Sequence, residues 1–319
     1  MSGSNDHIGG ELRRYGKATI GEAVSRLREG RLVAVPTETV YGLAADSTNA
    51  AAVAEIYRTK GRPDFNPLIV HVPNLEAAGK LGRFNQLAIR FAEALWPGPL
   101  TLVVPKAENC PVAAAVTAGL GTIALRCPAH SVIGELLKES GLFLAAPSAN
   151  RSGAISPTTV DHVARSLGAK APMILDGGPC ERGIESTIIA IDDVDYRILR
   201  PGPVTQAQLE DIACKPPRVK DTCEIQAPGQ MASHYAPSKP LRLNAGTADA
   251  DEYHIGFGPV SGHRNLSSQS DLAEAASLLF AALHDADSSG KARIAVAPIP
   301  KDGIGIALND RLRRASTPE

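Results

Sequence analysis

Two cationic side chains one residue apart are the strongest candidates for phosphate binding in this chain. Lys60 and Arg62 flank Gly61 and precede Pro63, so a glycine and a proline constrain the path of their loop. Arginine offers a planar fork of donors and lysine a mobile point charge, which together suit a polyphosphate. A solvated basic turn is the alternative. Because the loop leads into an apolar strand, and ligands of α/β proteins bind at strand ends, we expect Lys60 and Arg62 to hold phosphates.

A second loop, residues 145–153, is rich in small hydroxyl and amide groups. Ser148 and Asn150 in this loop suit phosphate oxygens and the edge of a purine at low steric cost. Taken alone, the segment is explained better as a turn followed by a helix cap. Its functional interpretation therefore depends on the other loops.

Four further polar features are each ambiguous. Thr39 follows an apolar run and offers a hydroxyl to an amino-acid ammonium or carboxylate, or merely caps a turn. The segment 183–187 also lies beside a strand. Arg200, before a proline and a glycine, is a third cation on a stiff turn, with a surface salt bridge as the alternative. Tyr235 lies in a proline-rich linker, where it is either a ligand contact or an isolated surface aromatic.

Several familiar motifs are missing from the sequence. It contains neither a phosphate loop of the type G-x-x-x-x-G-K-[ST] nor a G-x-G-x-x-G fingerprint, so phosphates must be held by side chains. The eight histidines are dispersed and form no metal box, so we expect no protein-held metal, whereas Mg²⁺ carried by a nucleotide needs few carboxylates. No G-x-S-x-G elbow supports serine hydrolysis. The predicted chemistry is transfer to or from a nucleotide.

The elements that must position these residues alternate between helix and strand. Apolar runs and amphipathic segments alternate through residues 16–210 and predict one α/β domain, preceded by a flexible N-terminus at residues 1–15. Residues 211–239 are proline-rich with little periodicity and are expected to form a linker. Residues 240–319 predict a second, smaller α/β domain.

Composition excludes several classes of protein. The 319 residues carry 33 basic and 34 acidic side chains, unlike a non-specific nucleic-acid binder. The five cysteines include no C-x-x-C pair, which argues against a disulfide framework or a zinc ribbon. With no long apolar run and no signal-peptide pattern, we expect a cytoplasmic protein without membrane contact.

Taken together, five segments in order resemble the YrdC-like family. They are residues 36–43, residues 60–71 with their Lys-Gly-Arg-Pro start, residues 96–101, residues 146–150 and residues 183–187. The linker segment 233–237, Ser-His-Tyr-Ala-Pro, and the small domain after it resemble the long form of that family. The resemblance implies a twisted mixed sheet with a concave basic cavity in the first domain and a Rossmann-like second domain.

The resemblance also implies a nucleotidyltransferase reaction. L-threonine, bicarbonate or CO₂, and ATP with Mg²⁺ would yield threonylcarbamoyl-adenylate and pyrophosphate. The adenylate would pass to a tRNA threonylcarbamoyl-transferase complex that modifies an adenosine of tRNA, with direct tRNA binding by this chain weak or uncertain.

Residue roles follow from the same resemblance. Residues that would contact threonine are Thr39, His71, Arg126, Ala146 and Ser186. Residues that would contact ATP are Lys60, Arg62, Asn66, Thr122, Ser148, Ser156, Arg200 and Tyr235. Residues expected to act in catalysis, by positioning and charge stabilisation, are Lys60, Arg62, Ser148 and Asn150.

The linker suggests a lid, in which Tyr235 and its neighbours close over the cavity and shield a labile anhydride from water. Two other functions remain open at this stage. A basic concavity could hold the phosphates of an RNA, although the chain has no lysine or arginine stripe. A carbamoyltransferase using carbamoyl phosphate shares this type of domain, but acylphosphatase and zinc-binding segments are not visible in the sequence.

Overall fold

The computed structural model describes residues 10–218, 227–229 and 233–317. Expectations for residues 1–9, for linker residues 219–226 and 230–232, and for residues 318–319 of the second domain therefore lie outside the described residues. The strands are β1 (Glu11–Arg14), β2 (Val33–Val35), β3 (Gly42–Asp46), β4 (Ile69–His71), β5 (Leu100–Pro105), β6 (Thr122–Arg126), β7 (Leu144–Ala145), β8 (Met173–Asp176), β9 (Thr187–Ile191), β10 (Tyr196–Arg200), β11 (Leu241–Arg242), β12 (Glu252–Gly256), β13 (Arg264–Asn265) and β14 (Arg293–Val296). The helices are α1 (Lys17–Arg28), α2 (Ala50–Lys60), α3 (Leu75–Gly79), α4 (Gln86–Leu95), α5 (Ser131–Ser140), α6 (Val160–Leu167), α7 (Gln206–Ala213), α8 (Leu272–Ser288) and α9 (Gly305–Ala315).

The first ten strands form one mixed sheet in the order β1-β8-β2-β3-β7-β4-β6-β5-β9-β10. Strand β4 runs parallel to β6, and β5 runs parallel to β9, whereas β5 and β6 pair antiparallel. The expected twisted mixed α/β sheet is thus confirmed.

Alternate residues of the central strands face two different environments. Val70 and Leu125 point into a large core shared with the helices, whereas Ile69 and Ala124 belong to a small apolar cluster on the opposite face. Ala227 from the linker joins that small cluster. Ala227 of the linker therefore packs on the face of the sheet that also carries His71 and Arg126.

The N-terminal expectation is wrong over residues 11–14, which form strand β1 instead of a flexible segment. This strand pairs in parallel with β8 at the edge of the sheet. Arg26 of α1 forms ion pairs with Glu11 and Glu22, which ties the strand to its neighbouring helix. Pairing with a strand about 160 residues away is a long-range effect that local composition does not reveal.

The expected boundary at residue 210 falls inside helix α7, which continues to Ala213. Thr205 and Gln208 form a reciprocal capping box that starts this helix, and Leu209 and Ala213 are buried on one face. The first three residues of the expected linker are therefore helical, because one more buried turn extends the helix.

The last four strands form a separate parallel sheet in the order β11-β14-β12-β13, flanked by α8 and α9. A parallel sheet with crossover helices agrees with the Rossmann-like expectation. Its hydrophobic core also includes Ile155, Ile184 and Tyr235 from the first domain and the linker, so apolar packing is continuous between the two sheets. Within the described residues, no helix is both long and apolar enough to span a membrane.

Candidate active site

A small cavity of about 50 Å³ lies between the face of the large sheet and the linker. Such a volume is far below the roughly 300–1,000 Å³ typical of ligand pockets. The cavity is lined by Thr37, Thr39, Val40, Gly42, Arg62, Ile69, His71, Arg126, Ala146, Pro147, Ser148, Glu185, Ser186, Arg200, Pro228, Gly229, His234 and Tyr235. The expected loops thus meet at one place, which the linker closes.

The end of helix α2 delivers Arg62 to this cavity. Gly61 adopts the left-handed conformation with φ of 61°, and the Arg62 amide donates to the carbonyl of Tyr57, which ends the helix sharply. The guanidinium donates to the carbonyls of Asn66 and Pro67 at 3.1 and 2.8 Å. Burial lowers the pKa of Arg62 to about 10, so the group remains a cation at neutral pH.

Lys60 is buried but does not line this cavity. Its Nζ donates to the carbonyls of Ser148 and Asn150, both at 2.5 Å, and so joins the two loops expected to hold phosphates. Burial, reinforced by the charge of Arg62, lowers the pKa of Lys60 well below its usual range. Lys60 therefore fixes the Ser148 loop from behind the cavity wall.

Arg200 supplies the second cation of the cavity wall. A register shift between β9 and β10 falls at Ile198 and Arg200, and such bulges re-aim side chains. The Arg200 guanidinium donates to the carbonyl of Ser186 at 2.9 and 3.1 Å and to its hydroxyl at 3.1 Å. Arg200 is therefore held against the segment 183–187.

The residues expected to contact threonine line the same cavity. Arg126 Nη1 donates to Thr39 Oγ1 at 2.9 Å, and Nη2 lies 2.6 Å from Glu38 Oε1 in a buried ion pair. Burial, with Arg126 nearby, lowers the pKa of His71 to about 3, so its imidazole is neutral. Ala146 and Ser186 also line the cavity, and Ser186 contacts Arg200 as well.

The other predicted ATP residues and Asn150 stand behind the cavity wall. Asn150 donates to the carbonyls of Arg151 and Ala154, which shapes the turn after Ser148. Ser156 donates to Glu185 Oε1 at 2.5 Å. Asn66 offers its carbonyl to Arg62. Thr122 begins β6, at the opposite end of that strand from Arg126, and does not line the cavity.

The linker wall contains residues that the sequence did not single out as ligand contacts. Gly229 has φ of 80°, and a Cβ added there would lie 2.7 Å from Tyr235 Oη and 2.9 Å from Arg200 Cδ. The His234 ring packs edge-on against Tyr235, with centroids 4.1 Å apart. Burial and the surrounding cations lower the pKa of His234 well below its usual range. The close approach at Gly229 lets the linker fill the cavity.

Three more residues of the site were missed by sequence reasoning. Thr37 bonds the hydroxyl of Thr39 at 2.8 Å, and Glu185 lines the wall beside Arg200. Thr37 lies within residues 36–43 and Glu185 within residues 183–187, so the family resemblance of these segments could have indicated both residues. Arg311 of α9 donates to Glu185 from the second domain, and no local pattern marks it.

The surroundings of the cavity are rich in buried positive charge. Within the part of the chain that the structure describes, four buried arginines and two buried carboxylates lie at or directly behind the cavity wall; they are Arg62, Arg126, Arg200 and Arg311 against Glu38 and Glu185. Uncompensated buried cations are costly unless a counter-charge binds. The site is therefore preorganised for an anion.

Comparison with known families covers most of the chain. A family model described as "Telomere recombination", for the Sua5/YciO/YrdC domain, matches residues 25–202. A second model, described as "Threonylcarbamoyl-AMP synthase, C-terminal domain", matches residues 204–317.

Individual relatives agree with these matches. The chain is 36% identical to a threonylcarbamoyl-AMP synthase of Bacillus subtilis, over 93% of this chain and 92% of the relative. It is 37% identical to a threonylcarbamoyl-AMP synthase of Pyrococcus abyssi, over 92% and 93% of the two chains. The crystal structure of Pyrococcus abyssi Sua5 complexed with L-threonine superposes with a TM-score of 0.85 at 35% identity, covering 97% of each chain.

Proposed function

The chain belongs to the Sua5/YciO/YrdC family in its long, two-domain form, and from this premise we propose how it works as an L-threonylcarbamoyladenylate synthase. It is an enzyme of the nucleotidyltransferase type that joins L-threonine, bicarbonate or CO₂, and ATP into threonylcarbamoyl-AMP and pyrophosphate. The observation that carries the proposal is the meeting of buried Arg62 and Arg200 with a small polar end containing Thr39 and Ser186.

Threonine occupies the Thr39 end of the cavity. Arg126, held by Glu38, faces the substrate carboxylate there, and neutral His71 offers a hydrogen bond to the amine without charge repulsion. Ala146 and Ile69 provide apolar surface for the methyl group. One methyl in such a pocket is worth about 1–3 kcal/mol, so threonine is preferred over serine by roughly 10- to 200-fold.

The chemical step needs no covalent enzyme intermediate. The threonine amine displaces water from bicarbonate, or adds to CO₂ with loss of one proton, and forms a carbamate. A carbamate oxygen then attacks the α-phosphorus of ATP, the bond from that phosphorus to the bridging oxygen breaks, and pyrophosphate leaves with the electron pair. Arg62 and Arg200 stabilise the charge that develops on the phosphates, so catalysis is positioning plus electrostatics.

Lys60, Asn150 and Ser156 act on this step from behind the wall. Lys60 and Asn150 set the turn that presents Ser148 to the phosphates. Ser156 orients Glu185, and Asn66 holds the guanidinium of Arg62. Thr122 would meet the nucleotide only if ATP extends along the sheet beyond the present cavity.

A cavity of about 50 Å³ cannot hold ATP and threonine together, so the linker must move to admit substrates. Tyr235, His234 and Gly229 form the part of the linker that occupies the wall. Closure after binding then excludes water from the mixed anhydride. The linker is thus proposed as the lid of the active site.

Magnesium fits this site as an ion carried by the nucleotide. No group of three or more histidine, cysteine or acidic side chains suited to a metal occurs in the described residues. Glu185, the one carboxylate in the cavity lining among these residues, already accepts from Ser156 and Arg311. Bound with ATP, Mg²⁺ would neutralise phosphate charge beside Arg62 and Arg200.

The adenylate is an activated carbonyl donor that hydrolyses in water. We propose that it passes to a tRNA threonylcarbamoyl-transferase complex. The basic side chains that face the cavity are buried, which leaves this site poorly suited to grip an RNA backbone directly.

An assay of pyrophosphate release tests the proposal. It compares threonine, serine and no amino acid, each with and without bicarbonate, and mass spectrometry identifies the adenylate. Release that depends on both threonine and bicarbonate is expected. Dependence on carbamoyl phosphate would instead indicate a carbamoyltransferase, and salt-sensitive RNA binding without ATP turnover would indicate an RNA-binding module.

Removal of the Arg62 guanidinium should slow this reaction. Arg62→Gln is expected to lower kcat/KM for ATP by about 10²- to 10³-fold, because a donor to developing charge is lost. Arg58→Gln is the matched control, since Arg58 lies one turn earlier on α2 with a side chain 79% exposed. Equal rates for the two variants would contradict the role of Arg62.

A further inference from the structure

Arg311 is a completely buried arginine at the junction of the two domains. It lies on α9 of the second domain with 0% of its surface exposed. Its Nε donates to Glu185 Oε2 at 2.8 Å, Nη2 to the carbonyl of Pro201 at 3.0 Å, and Nη1 to Asp310 Oδ2 at 2.9 Å. A buried guanidinium is tolerated only when its donors are satisfied, and here each nitrogen has a partner.

The partners of Arg311 are parts of the cavity wall. The second oxygen of Glu185 accepts from Ser156, and Pro201 directly follows Arg200. The guanidinium also lies 5.2 Å from the centroid of the Tyr235 ring, within the range of a cation–π contact. One side chain of the second domain thus contacts Glu185, the residue after Arg200 and the ring of Tyr235.

Helix α8 holds the same region by packing. Gly183 has φ of 68°, and an added Cβ would lie 2.3 Å from the carbonyl oxygen of Ala276 and 2.5 Å from Cα of Ser277. The backbone of segment 183–187 therefore lies directly on α8. The Tyr235 ring also lies beside Phe280 of that helix, with centroids 5.6 Å apart.

The charge of Arg311 has a further consequence for Arg200. Glu185 is a buried carboxylate that lines the cavity with Arg200. Paired with Arg311, its charge is already balanced from behind the wall. Without Arg311, the carboxylate would be an unpaired buried charge and would turn toward Arg200, which disturbs the cation that faces the phosphates.

We propose that Arg311 is a positioning residue for the nucleotide, through which the second domain completes the active site of the first. This inference rests on the proposed function, because it assigns Arg311 to the ATP end of that reaction. Arg311 touches no substrate. It fixes Glu185 with Ser156, the turn after Arg200, and the ring of Tyr235.

The test is a comparison of KM values for ATP and threonine in the full chain, with the urea midpoint of unfolding measured on each variant. Arg311→Met is expected to raise KM for ATP at least about tenfold and to change KM for threonine less than about twofold. Arg311→Lys keeps the charge but loses the fork, and is expected to recover only part of the ATP affinity. Arg313→Met is the matched control, because Arg313 lies on the same helix with a side chain 63% exposed.

A second substitution separates positioning from mere stability. In Arg311→Met/Glu185→Gln the unpaired carboxylate is gone, so the urea midpoint should recover while the raised KM for ATP persists. Recovery of both would overturn the inference, as would equal increases in the two KM values for Arg311→Met. If Arg311→Met does not fold, the ATP-to-threonine KM split of Arg311→Lys decides in the same way. Absence of threonine-dependent pyrophosphate release from the unsubstituted enzyme would instead refute the proposed function.

Discussion

Lys60 is a buried amine held between two backbone carbonyls. Its Nζ donates to the carbonyls of Ser148 and Asn150, both at 2.5 Å. Its pKa lies well below the usual range, because burial and Arg62 disfavour its charge. A polyphosphate bound beside Arg62 would favour the charged form of Lys60, so ATP binding should raise the pKa of Lys60.

We predict net proton uptake on binding of a non-hydrolysable ATP analogue at pH 8, where the terminal phosphate is already ionised, since phosphate groups have a pKa of about 6. Titration calorimetry in buffers of different ionisation enthalpy measures that uptake. In Lys60→Met it should be reduced by up to about one proton per site. Identical buffer dependence in both proteins would show that Lys60 does not titrate.

At this scale, sequence reasoning succeeded where a residue's neighbours in the chain carry the information. Arg62 and Ser148 lie in short loops beside apolar strands, and both line the cavity. Lys60 was expected to contact the phosphates but does not line the cavity, because its position depends on how α2 ends. Arg311 could not be found, since its importance arises from contacts with residues more than 100 positions away.

Among the elements, strands with continuous apolar sequence were predictable and strands defined by pairing were not. Strands β6 and β8 are apolar runs bounded by polar or turn residues, which is the pattern that predicts a strand. Strand β3 directly follows a polar loop and lacks that pattern. It forms by antiparallel pairing with β2 and β7, a long-range effect. Helix α8 begins after Asp271, whose side chain accepts from the amides of Ala273 and Glu274.

The linker is the element most sensitive to a single added atom. Gly229→Ala places a methyl group against Tyr235 and Arg200 at positive φ, where an alanine backbone costs about 1–3 kcal/mol. We expect KM for ATP to rise roughly 5- to 30-fold for 1–2 kcal/mol of lost closure, and hydrolysis of the adenylate to accelerate. Stopped assays of adenylate lifetime measure the second effect. Gly246→Ala, where a Cβ meets open space, is the control and should match the unsubstituted enzyme.

For the whole molecule, the contact between the domains contains a pair of stacked histidines. The rings of His162 on α6 and His284 on α8 lie 3.8 Å apart at 16°. The Nε2 atom of His284 lies 3.2 Å from the carbonyl oxygen of Ser156, which places the stack beside the nucleotide end. Burial, with the like charge of the partner ring, lowers the pKa of His162 to about 3, and burial lowers that of His284 to about 4. Charged groups that also act on the pair are Arg165, Arg264, Asp285 and Asp287.

Such lowered pKa values make the domain contact sensitive to acid. In the unfolded chain both histidines bind a proton below about pH 6.5, whereas in the folded chain they do so only near pH 3–4. The unfolded state binds more protons in this window, so the free energy of unfolding falls as the pH drops from 6.5 toward 4. His284→Gln, which keeps a donor for Ser156, should remove about 1–2 kcal/mol of that fall and leave stability at pH 8 nearly unchanged. Urea unfolding at pH 8, 6.5 and 4.5 measures the free energy of unfolding of both proteins. If the two fall in parallel with pH, the stacked histidines do not cause the loss of stability in acid.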